Sequence, residues 1–204
     1  MSRLQLRLFE GDAPKFDASF GDLRRVDLDQ TSWVEHFPRW LSRNEVLLDS
    51  LAKTDGWEQR KRWMFTQELD EPRLTAEYHA LAQAPDPLLR AIGGALSEHY
   101  GLPYDSVWMN LYRDHHDGTG WHGDKPKRAK SIVPVLSLGE TRRFLIRHRD
   151  GGPSTSFTAE GGDLIVMRGR CQRDWVHCVP KETHPAGMRI SVNFASSQQA
   201  AEDW

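Results

Sequence analysis

The run Ser131-Ile132-Val133-Pro134-Val135-Leu136-Ser137-Leu138 is short and apolar, and after Gly139 it is followed by Arg142-Arg143-Phe144-Leu145-Ile146-Arg147-His148. Runs of this length, bounded by glycine and rich in β-branched residues, predict strands. Working outward, the same texture recurs at Ser106 to Arg113, Asp163 to Arg168, Asp174 to Val179 and Met188 to Ala195. The breaks carry turn residues: Asp117-Gly118, Asp150-Gly151-Gly152-Pro153, Gly161-Gly162 and Pro185-Ala186-Gly187. Many short strands with Gly and Pro turns predict an antiparallel sandwich or barrel, and a jelly roll is the closed two-sheet solution to that pattern.

Before Gly101 the texture is different. Leu88, Leu89, Ile92, Leu96 and Tyr100 recur at three and four residues, and Pro87 suits a first turn, so a helix is predicted from about Pro87 to Tyr100. Val46, Leu47 and Leu51 predict a second helix between about Ser42 and Leu51, with Ser42 as its cap. The first thirty residues read as an irregular or short-stranded lead-in. The expectation is one domain over 1–204, with a helical, substrate-side segment over about 1–100 and a β core over about 101–197.

Composition bounds the function classes. Charged residues make up 27% and apolar ones 38% of 204 residues, and no apolar run approaches the ~18–20 residues of a membrane span. Met1 to Arg7 alternates charged with apolar residues and lacks the pattern of a signal peptide, so a cytoplasmic protein without membrane contact is expected. Two cysteines, Cys171 and Cys178, make no disulfide framework and read as core or edge positions. The net charge of −2 hides an asymmetry: eight basic residues against one acid lie between Lys125 and Arg149. Such a stretch can hold phosphates, although a solvated charged face accounts for it equally well.

Three His-x-Asp triplets occur, His115–Asp117, His122–Asp124 and His148–Asp150, where roughly one is expected by chance from the composition. A His and an Asp two apart on an extended segment point the same way and can share one metal ion. Asp117 precedes Gly118 and Asp150 precedes two glycines, so both read as turn residues. His177 lies in an apolar run, where histidine alone is more often a packed residue than a ligand. Arg189 opens the apolar strand Arg189-Ile190-Ser191-Val192-Asn193-Phe194 and needs a partner, for which a carboxylate is the natural mate.

Several of these segments, in order and with matching gaps, resemble the AlkB family of dioxygenases. They are Asn110-Leu111-Tyr112-Arg113-Asp114, Trp121-His122-Gly123-Asp124, Val135 to Gly139, Arg142 to Arg147, Gly162 to Met167, Asp174 to Lys181, and Arg189 with Asn193-Phe194. Upstream, Pro72 to Tyr78 resembles the substrate-side segment of the animal homologues, so the resemblance covers roughly residues 70 to 197. It implies an α+β, mainly β fold: a double-stranded β-helix (jelly roll) core with N-terminal helices packed against it. It also implies Fe(II) held by His122, Asp124 and His177 as the catalytic set. 2-Oxoglutarate would be contacted by Asn110, Tyr112 and Arg189, with Asn193 beside them, and O₂ would be the second cosubstrate. The implied reaction is oxidative removal of N-alkyl groups from nucleic-acid bases, with Arg73, Tyr78, Trp121, Lys127 and Arg128 on the substrate side and Trp63 and Phe65 as further candidates for stacking. Oligomeric state is left open, with a monomer as the default.

Three positions depart from the family pattern. Ala195 stands where a second arginine is usual, and Pro126 stands where an acid often reads the base. The segment between Tyr78 and Pro87 is shorter than the lid of the animal enzymes. The departures at Pro126 and Ala195 motivate an alternative expectation, the same oxidative chemistry on a protein or small-molecule substrate.

Overall fold

A computed structural model describes residues 13–64, 66–124 and 131–198. The chain runs through β1 (Lys15–Phe16), β2 (Arg24–Asp27), β3 (Ser32–Phe37), β4 (Leu41–Ser42) and α1 (Asn44–Ala52). Then come β5 (Lys61–Met64), β6 (Gln67–Asp70), β7 (Leu74–Tyr78) and α2 (Pro87–Tyr100). The second half holds β8 (Ser106–Tyr112), β9 (Thr119–His122), β10 (Ser131–Gly139), β11 (Arg142–His148), β12 (Ser154–Ala159) and β13 (Leu164–Gly169). A helical turn, Cys171–Asp174, leads into β14 (Trp175–Val179), and β15 (Arg189–Ala195) follows.

The protein is mostly β, with few helices and antiparallel sheets. A seven-stranded sheet has the order β2-β3-β13-β10-β15-β8-β7, and a four-stranded sheet has the order β12-β11-β14-β9. Strand β10 explains why its sequence reads as a nearly unbroken apolar run. Leu136 and Leu138 join a core with α1 and α2 residues such as Leu47, Leu51, Leu89 and Ile92. Val133 and Val135 point the other way, into a second core with Phe144, Ile146 and Phe157 of the smaller sheet. A strand covered on both faces loses polar alternation.

Helix α2 forms where the spacing predicts it. The Asp86 carboxylate accepts the Leu88 N–H at 2.9 Å, Pro87 fills the first turn, and Gly101 closes the helix at φ 67°. Helix α1 corrects the expected cap. Ser42 is paired with Lys15 in the β1–β4 ladder, its hydroxyl donating to the Lys15 carbonyl, and the helix starts at Asn44 without a side-chain cap. The first hundred residues are less helical than expected, because β2, β3 and β7 extend the large sheet and β5 pairs with β6 as a separate hairpin. Strand β3 has interior residues on both faces and the β5–β6 pair is exposed, so neither displays a two-residue alternation. Gly162, at φ 93°, admits no side chain, since a Cβ there would lie 2.3 Å from the Leu41 carbonyl oxygen.

Both cysteines are buried and free. Burial pushes the Cys171 thiol up to about 12, so it stays protonated and unreactive. Among the described residues no helix is long and apolar enough to cross a membrane.

Candidate metal centre and the cavity around it

Strands β9 and β14 pair so that His122 lies directly opposite His177. Their rings are 4.4 Å apart, and Asp124, two residues beyond His122, turns its carboxylate toward both. Asp124 Oδ1 lies 3.9 Å from His122 Nε2 and 3.8 Å from His177 Nε2. One ligand atom from each residue falls within 4.8 Å of the others, the donor set of a two-histidine, one-carboxylate metal site. His122 Nδ1 lies 2.8 Å from the Gly120 carbonyl, which can only accept; Nδ1 therefore carries a proton and Nε2 is the nitrogen turned toward the other two residues. Burial pulls the His177 pKa down to about 4 against the pull of Asp124, so its imidazole is neutral at physiological pH and free to ligate.

The other two triplets are spent elsewhere. The Asp117 carboxylate accepts from the Arg113 backbone and guanidinium, which holds its pKa below the usual range despite burial. His148 and Asp150 pair at 3.5 Å at a turn, where Asp150 is exposed.

From the three ligands a cavity runs between the sheets, lined by Asn110, Tyr112, Thr119, Phe144, Arg189, Ser191 and Asn193. Asn110 and Tyr112 alternate on β8 opposite Ser191 and Arg189 of β15, so all four project from adjoining strands. The Asn110 amide donates to Ser191 Oγ at 3.2 Å, and the Tyr112 hydroxyl bonds Thr119 Oγ1 at 3.1 Å. Asn193 spends its amide on the Trp108 and Ser191 carbonyls. Arg189 is 1% exposed; its Nη2 donates to Ser137 Oγ at 2.9 Å, while Nε and Nη1 have no hydrogen-bond partner among the described residues. A buried cation with unpaired N–H groups is costly, and a carboxylate is the natural acceptor for them. A divalent ion at one end and a guanidinium at the other suit a short dicarboxylate that also chelates the ion. The residues present therefore fit both Fe(II) and 2-oxoglutarate.

Toward solvent, Trp108 and Asp124 also wall a more open cavity of about 350 Å³ with Glu77, Tyr78, His79 and Ala195. Tyr78, one expected substrate residue, lies in this wall. Arg73 instead turns inward, donating to Thr119 Oγ1 and pairing with Glu71 at 3.0 Å. Trp121 lies under the Arg147 guanidinium at 4.2 Å. Trp63 stands 70% exposed on β5. Phe65, Pro126, Lys127 and Arg128 lie outside the described residues.

The basic stretch is not one solvated face. Arg142 is 1% exposed and donates to the carbonyls of Asp114, Asp117 and Pro180. Arg143 pairs with Glu182 at 2.9 Å, and Arg149 donates to the carbonyls of Gln172, Arg173 and Trp175. Sequence reading missed Trp108, Thr119 and Phe144. Trp108 was findable, because counting back by two from Tyr112 and Asn110 reaches it; the four-residue strand of Thr119 carries no comparable signal.

A family described as the 2OG-Fe(II) oxygenase superfamily matches residues 30–194. The chain is 29% identical over 191 residues to human alpha-ketoglutarate-dependent dioxygenase alkB homolog 3, covering 83% of this chain and 62% of that one. It is 30% identical over 119 residues to the DNA oxidative demethylase ALKBH2 of Arabidopsis thaliana, covering 46% of this chain and 38% of that protein. The chain thus spans less than two thirds of the length of these curated relatives. Among solved structures, that of OsALKBH1 superposes with a TM-score of 0.58 at 14% identity, over 85% of this chain and all of that one, a likeness of fold.

Proposed function

The chain belongs to the 2OG-Fe(II) oxygenase superfamily and, within it, to the AlkB family, and on that footing we propose that it oxidatively removes N-alkyl groups from nucleic-acid bases. The two sheets are read as the double-stranded β-helix of the family, with about 101–197 as the catalytic core and the preceding residues as its buttress and substrate side. His122, Asp124 and His177 hold Fe(II). An ion held there would activate O₂, the oxidant: one oxygen atom would enter succinate as 2-oxoglutarate loses CO₂, and the other would be carried onto an N-methyl group that leaves as formaldehyde.

The protein's own residues orient and exclude. Arg189 and Ser137 grip the distal carboxylate, and Asn110 and Tyr112 flank the chain of the cosubstrate. Phe144, whose ring is 5.4 Å from that of His177, keeps water off the inner side of the metal. One observation carries the choice of substrate: the open cavity adjoining Asp124 is walled by two aromatic residues, Trp108 and Tyr78. Flat bases stack on such walls, and a base reaches them only when single-stranded or extruded from a duplex. Incubation with Fe(II), 2-oxoglutarate and oligonucleotides bearing 1-methyladenine or 3-methylcytosine, read by mass spectrometry, tests this. Repair that disappears in His122→Ala is the expected result.

A second reading keeps the chemistry and changes the substrate to a protein side chain or small molecule. Ala195 favours it, since a small residue lines the open cavity where the family usually carries an arginine. Succinate formation stimulated by neither oligonucleotide would move the assignment there.

A further inference from the structure

Of the three metal-binding residues proposed, Asp124 is the one that lies off the sheet. His177 sits within β14 and His122 ends β9, whereas Asp124 falls two residues beyond the strand. Its backbone N–H donates instead to Oε1 of Gln172 at 2.9 Å, a contact reaching across 48 residues of sequence. Gln172 is 2% exposed and belongs to the helical turn Cys171–Asp174. Its Nε2 donates to Met167 Sδ at 3.5 Å, and only the amide oxygen can receive an N–H, so the orientation of the amide is set by chemistry. The turn is itself braced, because Arg149 donates to the carbonyls of Gln172, Arg173 and Trp175. Gly123 fits closely against this brace, with a Cβ there 2.9 Å from Arg149 Nη2 and 3.4 Å from the Gln172 carbonyl oxygen.

We propose that Gln172 is a positioning residue of the metal centre: by holding the Asp124 backbone it sets the carboxylate against the two imidazoles and so controls metal affinity. The inference rests on the reading of His122, Asp124 and His177 as the metal site. Without the latch, the ion itself must order the corner that carries Asp124. Outer partners of metal ligands typically alter affinity by about 10–100-fold when removed, and that loss is expected here.

The test uses the metal-free full chain and Co(II), which reports on geometry through its visible spectrum. Gln172→Met, similar in volume but with only a weakly accepting thioether in place of the amide oxygen, binds Co(II) about 10–100-fold more weakly and with an altered spectrum. Gln172→Glu keeps an acceptor oxygen and restores both. A purely structural role would lower metal-free stability in urea and leave Co(II) affinity at the wild-type value, which overturns the proposal; equal weakening in Met and Glu variants overturns it too. Gln172→Asn, one methylene short of Asp124, makes the same comparison if Gln172→Met does not fold. Wild-type protein that binds Co(II) no better than His122→Ala would instead sink the metal site itself.

Discussion

The two ends of the cavity are built differently. At the inner end Arg189, Ser191, Asn110 and Tyr112 stand on hydrogen-bonded strands, buried or half-buried on a ladder whose register is unbroken from Ser106 to Tyr112. At the outer end Tyr78 sits on an edge strand, and Glu77 and His79 face solvent. The contrast teaches where the chemistry is invariant and where it is adjustable. A cosubstrate of one shape suits groups fixed to within a strand's precision, while substrates of many shapes suit groups on edges and loops.

The sharpest way to break this comparison is at the metal, which both ends share. His122→Ala should lower 2-oxoglutarate turnover by about 1000-fold or more and remove stoichiometric iron, because the remaining two ligands cannot hold an open facial site. Retained turnover would mean the ends are organised around something else. Next comes the inner end. Arg189→Met should raise the KM for 2-oxoglutarate about 100-fold, the loss of two charge-assisted hydrogen bonds. The same substitution should leave the metal-free protein as stable or more stable, since an under-partnered buried cation is replaced by an apolar chain. A large drop in melting temperature would show that Arg189 is structural.

The pH dependence follows from His177. Its folded pKa, about 4, lies below the ordinary 6.5, so the unfolded chain binds a proton first as pH falls. Metal-free stability should therefore be full above pH ~6.5 and decline toward pH ~4, by up to about 3 kcal/mol, in urea titrations. The decline should shrink in His177→Leu. The smallest effect belongs to the outer end. Tyr78→Ala should raise the KM for a methylated oligonucleotide about tenfold, the worth of one stacked ring, and leave substrate-free succinate formation unchanged.

The contrast also marks what was readable in advance. Helix α2 announced its start and its buried face, because Pro87 and the three- and four-residue apolar spacing are local signals. The six apolar runs after Gly101 coincide with β8, β10, β11, β13, β14 and β15. Strand β12, Ser154–Ala159, was passed over because its alternate residues are exposed serines and threonines, and β9 because it is four residues long. Ser42 was misread because its partner, Lys15, is 27 residues away.

The same line divides the candidate site. By itself the amino-acid sequence determined residue types, their order and the periodicity of each segment, and these sufficed for the β core and for a list of candidate ligands. Spacing could not choose among three identical His-x-Asp triplets, because two residues apart is a local relation that all three satisfy. The family resemblance singled out His122–Asp124, and tertiary structure supplies the physical difference: it pairs His122 with His177 across two strands, while Arg113 claims Asp117 and a solvent-facing turn leaves Asp150 exposed. Likewise Arg142 and Arg189 are both arginines at strand starts, and only the fold shows that three carbonyls take up both terminal nitrogens of Arg142, leaving just its Nε unpartnered, while Nε and Nη1 of Arg189 both lack a partner among the described residues. Vacancy is a property of what surrounds a side chain, and the surroundings are assembled by folding.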